Sequence, residues 1–189
     1  VSWNSGWIDS AFPDDCILDS NRNLITGWSV DPISGKGDRI FCNVLCDIKA
    51  IAFARERIKN RLSTHKYKCR FIDTTMASLF RECYHHDHEM THTTSKEKRL
   101  ELLKLVGNEF NLVSGTEDGH ECAVPYIDYC EGMMSLGRFR ISDSGRYMYN
   151  ILNDSTQYPS YVEEFQLGYQ YRLPLWELVF HDCCVAYWY

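Results

Sequence analysis

The chain has 189 residues, 44% hydrophobic and 14% aromatic, enough to bury a core and form about one domain. A formal net charge of −6, with Lys and Arg scattered, excludes a general nucleic-acid binder, which needs a basic face against phosphates. No run of about 18 apolar residues is present, so no membrane span is expected.

The opening "VSWNSGWIDS" has neither Met nor the basic-then-apolar pattern of a secretion signal, as expected of the middle of a longer polypeptide. Nine cysteines, an odd count, fall at 16, 42, 46, 69, 83, 122, 130, 183 and 184. The chain is too large to need stapling, and most of these thiols sit in or beside apolar runs, where they pack as small hydrophobes. Reduced, mostly buried thiols are expected, and with them a cytoplasmic location.

Residues 1–45 read as a loop-rich segment with tryptophans at Trp3, Trp7 and Trp28, a composition common where a ligand is gripped. From Cys46 to about Leu62, the spacing of Ile48, Ile51, Ala52, Ile58 and Leu62 predicts a helix, with basic residues in its last turns. A strand follows at Cys69–Thr74, then a polar, histidine-rich loop and a second helix from Ser95. "NLVSGTEDG" (Asn111–Gly119) reads as the next strand, "AVPYIDYCEG" as a third and "LPLWELVFHD" as a fourth, the last preceded by a long irregular stretch over 133–171.

Strands alternating with helices, each ending in acids or other polar groups, predict parallel β/α units. The expected fold is α/β, a (β/α)8 barrel, represented by its central to C-terminal strands in one partial domain over 1–189. A glycine-rich phosphate loop, which an open nucleotide-binding sheet would need, is missing from the sequence.

Asp73 and Glu117 stand at the ends of consecutive strands, and neighbouring strands lie roughly 5 Å apart. Two carboxyls at that separation suit a retaining glycosidase, in which one attacks the anomeric carbon while the other protonates the leaving oxygen. Asp73 fits the nucleophile, with Arg70, Thr74 and Thr75 near it in sequence to keep it ionised. Glu117 fits the acid/base, with Gly115 and Gly119 leaving room for a ligand. A solvated loop acid is the plainer reading of Glu117.

"RFIDTT", "GTEDG", "VPYIDYCEGM" and "YRLPLWELVFHDC" together resemble a bacterial group of barrel hydrolases related to glycoside hydrolase families 101 and 129, the α-N-acetylgalactosaminidases. The resemblance implies a strand-end Asp nucleophile and a Glu acid/base from the following strand, which fall on Asp73 and Glu117. It also implies a carbohydrate substrate and completion of the barrel by the rest of the parent chain. Substrate contacts are expected from Glu82, His88, Asp128, Glu131, Trp176, Glu177, His181 and Asp182. Trp3, Trp7, Tyr84 and Tyr126 are candidate sugar platforms, with ordinary packing as the alternative for each.

The rival chemistry is metal. "ECYHHDHEMTH" puts Glu82, Cys83, His85, His86, Asp87, His88 and His92 within eleven residues, and "HEMTH" spells the zinc-protease motif H-E-x-x-H. That motif needs a regular helix, whereas this one falls in a polar loop, so no metal and no cofactor are expected. A zinc-dependent hydrolase and a non-catalytic carbohydrate-binding fragment remain the alternatives.

Overall fold

A computed structural model describes residues 12–30, 40–131, 173 and 175–187, with residues 160, 164 and 170 besides. Trp3, Trp7 and nearly all of the 133–171 stretch lie outside the described residues.

A short 3-10 turn, Pro13–Asp15, leads to β1 (Thr26–Val30) and β2 (Ile40–Asn43), which pair antiparallel with a register shift between Thr26 and Trp28. The loop-rich opening therefore holds a two-stranded ribbon that its composition hid. Helix α1 (Asp47–Thr64) buries Asp47, Ala50, Ile51, Ala54 and Ile58, one stripe at helical spacing.

After α1 come β3 (Cys69–Ile72), α2 (His92–Asn108) and β4 (Val113–Glu117), in the predicted order, then a 3-10 helix at Glu121–Tyr126, β5 (Tyr129–Glu131), α3 (Leu175–Phe180) and β6 (Val185–Tyr187). α2 starts three residues earlier than its apolar pattern, because Thr91 caps it by accepting from the N–H of Thr94 at 3.2 Å. Strands β3, β4, β5 and β6 lie in that order in one sheet, every neighbouring pair parallel. These are successive units of a parallel α/β barrel, with four strands among the described residues.

The fourth strand was misplaced by the sequence reading. Leu175–Phe180, inside "LPLWELVFHD", is helix, His181–Cys183 is a turn, and the strand begins only at Val185. The third strand is likewise shorter than predicted: Ala123–Tyr126 is 3-10 helix, and Asp128 precedes β5. Asp128 joins strand starts instead. Its carboxylate accepts from Ser114 N at 2.7 Å, and its carbonyl accepts from Val185 N at 2.9 Å.

The main core lies between the helices and one face of the sheet, with Ile51, Ala54 and Ile58 of α1 and Leu102, Leu103 and Val106 of α2 packed over Ile72 and Cys130. Burial of the Ile, Leu and Val side chains among these contributes roughly 1.5–3 kcal/mol each. A smaller second core joins Ile17, Val44, Cys46, Cys83 and Met90, tying the N-terminal segment to the β3–α2 loop.

Candidate active site

Side chains alternate across a strand, so the face away from α1 and α2 carries Cys69 and Phe71 of β3, Val113, Gly115 and Glu117 of β4, Tyr129 and Glu131 of β5, and Val185 of β6. Val113 and Val185 are exposed there, and Phe71 and Tyr129 are only partly buried. In a closed barrel this face turns inward, so the uncovered apolar residues mark the side that further strands enclose. Gly115 is buried and carries the Tyr129 ring directly over its Cα; any Cβ at 115 collides with that ring. The ring thus reaches across β4, where its hydroxyl meets Cys69 Sγ at 3.2 Å, and stacks with Phe71 at 6.2 Å between centroids.

Three acids close this face at the C-terminal edge of the sheet. Glu117 stands opposite Glu131 in register, and Asp73 follows Ile72, whose partner is Thr116, so Asp73 leaves β3 beside Glu117. The Asp73 and Glu117 carboxyls meet in a hydrogen bond. Burial, reinforced by the hydrogen bond and negative charge of Glu117, holds the Asp73 carboxyl above the usual Asp range. The shift runs against the effect expected from Arg70, Thr74 and Thr75, because burial and the Glu117 charge oppose ionisation of Asp73. Glu117 also accepts from the Thr74 backbone N–H at 3.0 Å.

Both acids are followed at once by a left-handed residue, Thr74 with φ 60° and Asp118 with φ 53°. Such a conformation in a β-branched Thr costs roughly 1–3 kcal/mol and is held by its surroundings, as happens at functional sites. For Asp118 the hold is visible: its N–H donates to Glu131 O at 2.6 Å.

Sequence reasoning missed the group that supports this edge. Arg99 of α2 is 2% exposed, and its Nε donates to Asp47 Oδ2 of α1 at 2.9 Å. Its Nη1 donates to the carbonyls of Thr75 at 3.0 Å and Ser78 at 2.7 Å, and its Nη2 to Leu79 O at 2.8 Å. Ser95 Oγ gives Asp47 a second bond at 2.6 Å. The loop just after Asp73 is therefore clamped from beneath by one guanidinium whose charge is met by a buried carboxylate. The signal was present, since Ser95 and Arg99 occupy the same inward stripe as Leu102 and Val106.

The remaining candidates divide by position. Glu131 joins the acid row, and Glu82 lines a groove of about 310 Å³ with Leu79, Arg81, Tyr84 and His92, accepting from Tyr84 Oη at 2.8 Å. Asp128, His181 and Asp182 lie at the N-terminal ends of β5 and β6, opposite to the edge that carries Asp73. Trp176 and Glu177 belong to α3, where Trp176 packs against the main core and on Phe180. Tyr126 also packs on that core. His88 is 3% exposed and faces Cys83 and Asp14 instead of solvent.

The zinc-protease reading of "HEMTH" fails on geometry. His88 precedes the bridge that pairs Met90 with Cys83, and His92 opens α2, where it is exposed with Nδ1 3.3 Å from Glu82 Oε1. A pair of zinc ligands at i and i+4 on one helix is not formed.

A parallel barrel sheet with adjacent carboxyls at its C-terminal edge places acids where barrel enzymes assemble their active sites. The chain belongs to the glycosyl hydrolases related to the GH101 family, GH129, whose sequence model matches residues 4–188. Solved structures of α-N-acetylgalactosaminidase NagBb from Bifidobacterium bifidum share its fold. A quadruple mutant is 21% identical with a TM-score of 0.60, covering 92% of this chain. A GalNAc complex is 21% identical with a TM-score of 0.59, and a Gal-NHAc-DNJ complex 20% identical with 0.60. The chain spans 23% of the length of those structures. No curated protein matches it.

Proposed function

We propose that this chain carries the catalytic carboxyls of a retaining glycoside hydrolase, with Asp73 as nucleophile and Glu117 as acid/base. The reading rests on one observation above the others: two acids from adjacent parallel strands meet at the C-terminal edge of the sheet. The mechanism needs one protonated and one ionised carboxyl, and two acids in contact titrate as a coupled pair. A sugar must part the pair on binding. With the anomeric carbon against Asp73, its developing positive charge favours the carboxylate there, and Glu117 beside the leaving oxygen serves as the proton donor. Asp73 attacks, the glycosyl–oxygen bond breaks as Glu117 protonates the aglycone, and Glu117 then deprotonates the water that releases the sugar. Glu131, next to Glu117 in register, and Glu82 in the neighbouring groove are proposed to hold sugar hydroxyls.

The proposed substrate is an α-N-acetylgalactosaminide on a glycan or glycoconjugate, by likeness to NagBb. The test is a mechanism-based 2-deoxy-2-fluoro or 5-fluoro glycosyl fluoride added to the full-length polypeptide, followed by peptide mass spectrometry. Labelling of Asp73 supports the assignment. Turnover that proceeds with inversion, or a label on another acid, removes it.

A further inference from the structure

We propose that Cys46, Cys83 and His88 form a buried structural zinc site, independent of the catalytic edge. The three donor atoms lie within 4.8 Å of one another, and Cys83 Sγ is 3.4 Å from His88 Nδ1. Two ligands of a tetrahedral zinc, at about 2.3 Å for sulfur and about 2.0 Å for nitrogen, stand roughly 3.5 Å apart, so the pair needs almost no movement.

The histidine is already set for metal. Its Nε2 lies 2.9 Å from the Asp14 carbonyl, an atom that only accepts, so Nε2 carries a hydrogen and Nδ1 is the ring nitrogen turned to the two sulfurs. An imidazole with its far N–H fixed on a backbone carbonyl is the usual support behind a metal-bound histidine. Met90 Sδ, 3.9 Å from Cys46 Sγ, stands on the remaining side and supplies a soft thioether for the fourth position. Cys46, Cys83 and His88 are at most 3% exposed, and Ile17 and Val44 pack around them, which keeps the site dry.

The ligands also come from separate places. Cys46 caps α1, while Cys83 and His88 flank a loop closed by paired backbone bonds between Cys83 and Met90, at 2.8 and 2.9 Å. A metal here would crosslink the N-terminal segment, α1 and the β3–α2 loop that begins at Asp73. On binding, two Zn–thiolate bonds, one Zn–N bond and one Zn–S bond to the Met90 thioether form, the remaining thiol protons pass to buffer, and no electron is transferred. Glu89 and His92 of the H-E-x-x-H letters take no part.

The test is elemental analysis of the reduced, full-length polypeptide after dialysis, together with cobalt(II) substitution. About one zinc per chain is expected, and cobalt should give a thiolate-to-metal charge-transfer band with the intense visible bands of a tetrahedral site. His88→Gln and Cys83→Ser should each abolish that spectrum, whereas Cys69→Ser and His86→Ala should leave it intact. If those variants do not fold, the cobalt spectrum of the unsubstituted protein still decides, since it requires no mutation. Folded, reduced protein that binds neither ion, copper held in place of zinc, or a Cys46–Cys83 disulfide as the resting state would overturn the proposal.

Discussion

The backbone N–H of Thr74 donates to Glu117 Oε2 at 3.0 Å, and this bond ties the turn after β3 to the last residue of β4. It comes from a left-handed Thr, so the chain accepts strain in order to aim an amide at the carboxylate beside Asp73. The upward shift of the neighbouring Asp73 carboxyl fixes the sign of two predictions.

Asp73→Asn is expected to abolish turnover and yet raise the melting temperature at neutral pH. A carboxyl whose folded pKa is raised stabilises the fold only while protonated; that contribution is present below the ordinary Asp value of 3.8 and is lost as pH rises through the higher folded value. Asn removes the penalty, so the gain should vanish when melting is measured below the ordinary value. A variant less stable than the parent at pH 7 would contradict the burial argument.

Glu117→Gln should slow substrates with poor leaving groups far more than activated aryl glycosides, because only the former need a proton. It should also move the acid limb of kcat/KM to lower pH, since Asp73 loses the negative charge and hydrogen bond that help raise its pKa. Equal loss on both substrate types would count against Glu117 as the acid.

Arg99→Met is expected to cost about 3–5 kcal/mol in denaturant unfolding, the usual penalty for stranding one partner of a buried ion pair. Asp47 would keep only Ser95 as a donor among the contacts described, and the carbonyls of Thr75, Ser78 and Leu79 would lose theirs. Arg99→Lys should recover little, because an ammonium cannot span that fork. Limited proteolysis should then cut first within residues 75–79.

Gly115→Ala should destabilise the fold by about 1–3 kcal/mol, an overpacking cost, because its Cβ enters the Tyr129 ring. Placing it in a Tyr129→Leu background should reduce the loss. Additive effects in that double-mutant cycle would show that the ring is not what the glycine accommodates.

The local sequence determined the helix α1, whose five buried positions follow one periodic stripe, and the acids that stand where β3 and β4 leave the core. It also carried the family through "RFIDTT" and "GTEDG", since an apolar run stopped by an acid and a glycine is a short-range pattern. The tertiary structure decided what depends on partners distant in sequence. "LPLWELVFHD" is too short for periodicity to separate helix from strand, and only the pairing of Val185 with Tyr129 located β6. The five letters "HEMTH" carry no backbone geometry, so His88 joined Cys46 and Cys83 in a second core while His92 stayed at the surface. Arg99 reads as one more basic helix residue until Asp47, fifty-two positions away, is packed against it. Burial turns those distant neighbours into strong partners, because a charge removed from water needs an opposite charge within reach, and which one it finds is set by how the chain folds back on itself.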